Sequence, residues 1–94
     1  MAVYLVTWNL NKERPNYDQA RRALIAEIER YDNVKDPGLE SVRFVSTTAS
    51  AQAVSDSLKK KLDDNDRLFV ARLTSGQHQG WLDKAVWAWI NQRL

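Results

Sequence analysis

Apolar and polar positions change period along this chain, and the first run has no polar face at all. From Ala2 to Trp8 the residues are β-branched, aromatic or aliphatic, with no Gly or Pro, which predicts a strand. Alternation puts Val3, Leu5 and Thr7 on one side and Tyr4, Val6 and Trp8 on the other. A strand apolar on both sides belongs in the middle of its sheet. The polar run Asn11–Asn16, broken by Pro15, predicts a loop that closes with Asn16 as a helix cap. From Tyr17 the spacing becomes helical, with Tyr17, Ala20, Leu24, Ile28 and Tyr31 on one face. The other face carries Arg21, Arg22, Glu27, Glu29 and Arg30, the mixed signs of a solvated surface.

Pro37-Gly38 predicts a type II turn. It separates a short strand around Val34-Lys35 from a longer one over Glu40–Thr47, which together read as a hairpin with Val42 and Phe44 inward and Arg43 opposite. Thr47-Thr48-Ala49-Ser50 supplies cap residues for a second helix whose inner face is Ala51, Val54, Leu58 and Leu62. Lys59-Lys60-Lys61 falls in its last turns, where cations complement the helix dipole. Asp63-Asp64-Asn65-Asp66 reads as a turn, because it lacks the spacing and glycine of a calcium loop. Arg67–Leu73 is a further strand with apolar residues on both faces. The polar loop 74–80 contains His78, read as a surface residue. Trp81–Leu94 reads as a final helix whose stripe is Trp81, Leu82, Ala85, Val86, Trp89 and Ile90, with Trp87 and Leu94 off its centre.

Strand, helix, hairpin, helix, strand is the α+β order of a ferredoxin-like βαββαβ sandwich, here one domain over residues 1–94 with an added C-terminal helix. In that fold two helices cover one sheet face. The other face of this sheet is also apolar, so a final helix or a second subunit has to cover it. A C₂ homodimer with facing sheets satisfies the pattern, with Tyr4, Val6, Trp8, Trp87 and Trp89 at its interface.

Composition narrows the chemistry. The 94 residues contain no Cys and one His, which excludes disulfides, thiolate chemistry and a multi-histidine metal site within one subunit. Fourteen Lys and Arg against twelve Asp and Glu leave a charge of +2, which permits a nucleic-acid partner without demanding one. Asn9, Asn11 and Lys12 interrupt any signal-peptide pattern, and no run approaches the roughly 20 apolar residues of a membrane span. The expectation is a cytoplasmic protein without a membrane partner.

Tyr4–Lys12, the loop with Asn16-Tyr17, the Ser50-Ala51 helix start, Asn65-Asp66 before an apolar strand and a Trp-rich final helix together resemble short bacterial proteins labelled SinR-like. These are similar to the small nuclease-like subunit of the CRISPR adaptation complex and to virulence-associated protein D. The resemblance implies a ferredoxin-like homodimer. It also implies, for some members, a divalent-metal nuclease built on an Asp at the end of the first strand. Asn9 stands at that catalytic position, and a neutral amide is a poor ligand for Mg²⁺ or Mn²⁺. The leading expectation is therefore a non-catalytic module with no cofactor. Its partner is DNA or RNA, contacted through phosphates by Arg14, Arg21, Arg22, Lys59, Lys60 and Lys61, or else a protein. Two alternatives stand beside it: a Mg²⁺- or Mn²⁺-dependent endonuclease or toxin-type ribonuclease in which Asn9 positions the ion with help from Asp66 or a backbone carbonyl, and a protein-interaction scaffold.

Overall fold

A computed structural model describes residues 1–13 and 15–94. Its elements are β1 (Ala2–Asn9), α1 (Tyr17–Ile28), β2 (Asp32–Val34), β3 (Val42–Thr47), α2 (Ala51–Lys59), β4 (Arg67–Arg72) and α3 (Lys84–Arg93). The four strands form one α+β sheet in the order β2-β3-β1-β4, every neighbouring pair antiparallel. As its composition requires, β1 is central: Val6 lies opposite Arg43 on one side and Val70 on the other.

Both faces of β1 are covered by its own chain. Tyr4, Val6, Trp8 and Leu10 pack with Val45 of β3, Leu24 and Ile28 of α1, and Val54 and Leu58 of α2. On the opposite face Val3 and Phe44 pack with Val86 and Ile90 of α3. Each fully buried aliphatic side chain contributes about 1.5–3 kcal/mol, so the two small cores hold three helices onto one sheet. Arg43, on the α1 side of β3, is accommodated in that apolar layer because its guanidinium donates to Glu29 Oε2 at 3.1 Å and Asn33 Oδ1 at 2.8 Å.

Local sequence accounts for most element boundaries. The Ser50 hydroxyl accepts from the Ala53 N–H at 3.0 Å, capping α2. Three expectations need correction. First, Gly38 does not adopt the positive φ of a type II turn, which among the described residues belongs to Gly76. Asp36 Oδ1 instead accepts the Gly38 N–H at 2.8 Å and the Asp36 carbonyl accepts the Leu39 N–H at 3.0 Å, an Asx turn that bends the chain without a left-handed residue. Second, β3 therefore starts at Val42, not at Glu40. Third, α3 starts at Lys84, not at Trp81. The Asp83 carbonyl accepts the first helical N–H groups, of Val86 and Trp87, while the Asp83 N–H goes to Asp36 Oδ2 at 2.7 Å. Trp81 is left in the preceding loop, fully exposed, and Trp87 rather than Trp81 packs on the sheet.

Among the described residues no helix is long and apolar enough to cross a membrane.

Candidate nucleic-acid interface

The connectivity gathers charged helix ends at one end of the sheet. β1 finishes at Asn9, and α1 returns from there toward β2, whose first residue Asp32 pairs with Ser46 opposite Val3. α2 leaves β3 at Thr47, opposite Ala2, and returns toward Arg67, opposite Asn9. The start of α1 and the finish of α2 thus both lie at the Asn9 end, α1 bringing Arg21 and Arg22 and α2 bringing Lys59, Lys60 and Lys61. Arg22 and the three lysines are exposed and Arg21 is half-buried. The sixth expected cation, Arg14, lies outside the described residues.

This end also carries acids. Lys59 shares a groove of about 420 Å³ with Asp63 and Asp64. Arg22 shares another, of about 520 Å³, with Lys12, Tyr17 and Asp18. Lys59 closes the last turn of α2 and serves the helix dipole as well as any ligand.

Asn9 is exposed and pairs with Arg67 across the β1–β4 ladder. Strand alternation points its side chain to the α3 side of the sheet. Asp66, the carboxylate closest in sequence to that pair, is buried and already engaged: Oδ1 accepts the Asn11 N–H at 2.8 Å and Oδ2 accepts the Asp63 N–H at 3.0 Å. It clips the loop after β1 to the turn before β4, a structural task that accounts for its burial. Among the described residues no three His, Cys, Asp or Glu side chains converge as a metal would require.

Packing removes three of the five residues expected at a dimer interface. Tyr4, Val6 and Trp8 face α1 and α2 of their own chain and are buried, Trp8 to 6% exposure, so no second copy reaches them. The Tyr4 hydroxyl is also committed, donating to the Ala49 carbonyl at 2.7 Å. Trp87 and Trp89 are half-buried against the α3 core. The His78 ring stacks on Trp87 at 6.0 Å between centroids, and the Arg93 guanidinium lies 4.2 Å over the Trp89 ring. Trp87 and Trp89 therefore spend much of their surface inside the protomer, and His78 is a packing residue of the 74–83 loop.

Two residues at this end and its flank escaped sequence reasoning. Asp36 ties the hairpin to the start of α3, and only the Asp-Pro-Gly order hinted at its turn role. Phe69 belongs to a strand that is apolar on both sides by sequence, yet it is 62% exposed. It lines a groove of about 370 Å³ with Thr7, Asn9 and Arg67. Nothing local distinguishes a strand face that a helix covers from one that it misses. No protein-family model matches the chain, and no curated protein matches it.

Proposed function

We propose that the protein is a ferredoxin-like binding module that holds nucleic acid by its phosphates and does not cut it. The sheet order, the antiparallel pairing and the placement of α1 and α2 on one face support the ferredoxin-like reading. The observation that carries the function is the convergence of the α1 start and the α2 finish. Arg21, Arg22 and Lys59–Lys61 there, with Lys12 and Arg67, outnumber the exposed acids Glu13, Asp18, Glu40, Asp63 and Asp64. Flexible cations at one end of a small domain track a phosphate backbone without reading sequence. Asn9 is neutral and the Asp66 oxygens accept main-chain N–H groups, so neither offers a free carboxylate for cleavage chemistry. The resemblance to the CRISPR adaptation subunit agrees with a nucleic-acid partner. Its homodimer must use a face other than Tyr4, Val6 and Trp8, and the free edge of β4 is the longer of the two sheet edges.

A titration against fluorescent double-stranded DNA, single-stranded DNA and RNA tests this reading, with anisotropy and strand integrity measured with and without Mn²⁺. With about five phosphates neutralised, affinity should fall by roughly 10²-fold for a single strand and about 500-fold for a duplex between 50 and 200 mM salt. Reversing Arg21, Arg22 and Lys59–Lys61 to Glu should abolish binding to duplex and single strand alike. Cleavage by the wild type would overturn the non-catalytic reading. Binding that ignores salt, or no binding at all, would overturn the phosphate reading and leave a protein scaffold.

A further inference from the structure

The two sheet faces are not covered to the same extent, and the uncovered corner has the chemistry of a base-stacking platform. On the α1/α2 side, Tyr4, Val6 and Trp8 are buried along the whole of β1. On the α3 side burial fades toward Asn9: Val3 is buried, Leu5 and Thr7 are half-buried, and Asn9 is exposed. β4 repeats the gradient on the same side, from half-buried Leu73 and Ala71 to exposed Phe69 and Arg67. The cause is the seat of α3. Its N-terminal side is held to Asp36, just after β2, and Arg93 near its end donates to Asp32 Oδ2 at 2.7 Å, at the start of β2. The helix is thus tied at both ends toward the β2 side while its buried face packs on Val3 of β1 and Phe44 of β3, and it stops short of the Phe69 and Arg67 end of β4.

Among the described residues Phe69 is the one large apolar side chain of the four strands that is left exposed. Its cross-strand neighbour is Thr7, and one step along the same face comes the pair Asn9 and Arg67. Two residues along a strand is about 6.6 Å, a spacing that lets a base lie on the ring while its phosphate meets the guanidinium. Arg67 is held for this: its Nη1 donates to the carbonyls of Asp64 at 3.4 Å and Asp66 at 3.0 Å, and it forms no ion pair among the described residues. The Asn9 amide supplies both a donor and an acceptor for a base edge or a sugar hydroxyl.

We infer that the Phe69–Arg67–Asn9–Thr7 corner binds an unpaired nucleotide of a single strand, the base stacked on Phe69 and the adjoining phosphate on Arg67. This rests on the phosphate-binding reading and specifies its ligand. A duplex keeps its bases stacked on one another and cannot offer one to an exposed ring, whereas a single strand can. The ring lies at the same end of the sheet as the basic helix ends, so one strand can pass from Lys59–Lys61 around the β1–β4 end onto Phe69.

The test compares labelled strands of about 10 nucleotides, poly-dT, poly-U and an abasic strand of equal length, and a duplex, by anisotropy. The proteins are the wild type, Phe69→Ala and Phe69→Trp, each checked by circular dichroism and light scattering. Base-bearing single strands should bind more tightly than the abasic strand. Phe69→Ala should weaken them about 5- to 150-fold, the range for loss of one base–aromatic stack, and leave the abasic strand and duplex unchanged. Phe69→Trp should retain the wild-type affinity. The poly-dT and poly-U arms distinguish DNA from RNA. Salt-sensitive binding that Phe69→Ala leaves intact, or weakens equally with and without bases, overturns the platform and spares the phosphate reading. Failure of every strand and the duplex to bind overturns both. A wild-type dimer that Phe69→Ala dissociates would make a second copy the occupant and also overturn the platform.

Discussion

The face of the sheet under α1 and α2 is closed along Tyr4, Val6 and Trp8 of β1, while the face under α3 is closed over Phe44 of β3 and the Val3 end of β1 and open at the β4 corner. Two helices side by side span the width of a four-stranded sheet; one helix, about 10 Å across, spans two strands 4.8 Å apart. The comparison shows why a chain with apolar residues on both sides of β1 needs no second subunit to bury them, and also why burial stops short of Phe69.

The largest effect should come from the closed face. Trp8→Ala removes a buried ring between β1 and the helices and should cost about 3–5 kcal/mol, a large part of a small domain's stability. Chemical denaturation would read the loss. Were Trp8 an interface residue, the variant would keep its monomer stability and change only its oligomeric state, which light scattering separates from unfolding.

On the half-closed face Ile90→Ala should cost less, about 2–3 kcal/mol, because a helix seated against a single sheet face can shift to shrink the cavity. The thermal midpoint should drop by roughly 4–8 °C per kcal/mol. A loss equal to that of Trp8→Ala would mean that α3 is as rigidly seated as α1 and α2.

Smaller again is the latch between the hairpin and α3. Asp36→Ala leaves the N–H groups of Gly38 and Asp83 without their carboxylate and should cost about 1.5–2 kcal/mol. Hydrogen exchange should rise at the start of α3 before it rises in β1, since the latch holds only the second face. Uniform acceleration across the sheet would mean that the two faces unfold as one unit.

Much of this was legible in the residues. The strand from Ala2 to Trp8, the two helices starting at Tyr17 and Ala51, the Ser50 cap and the central position of β1 follow from periodicity and side-chain chemistry within a few positions of each residue, whereas the helical spacing runs on to Tyr31 and Leu62 past the actual ends at Ile28 and Lys59. The charged ends were legible as residues, and their convergence followed once the element order was known. Asn9 could be picked out as the end of the first strand, but not the partner that faces it or the side of the sheet it occupies.

What tertiary structure alone decided is which apolar surface meets which. Tyr4, Val6 and Trp8 carry the same sequence signature whether they bury against their own helices or another subunit, because the hydrophobic effect is non-directional and scales with area. By periodicity Trp81 belongs to the helical stripe and Trp87 lies off its centre, but the Asp36 carboxylate takes the Asp83 N–H, the helix begins one turn later, and Trp87 is the one that packs. Phe69 and Phe44 are both aromatic residues in strands, and one is buried while the other is exposed. Sequence determined the elements and their apolar faces. The seat of α3, fixed by Asp36 and Asp32 from far along the chain, decided which face remained open.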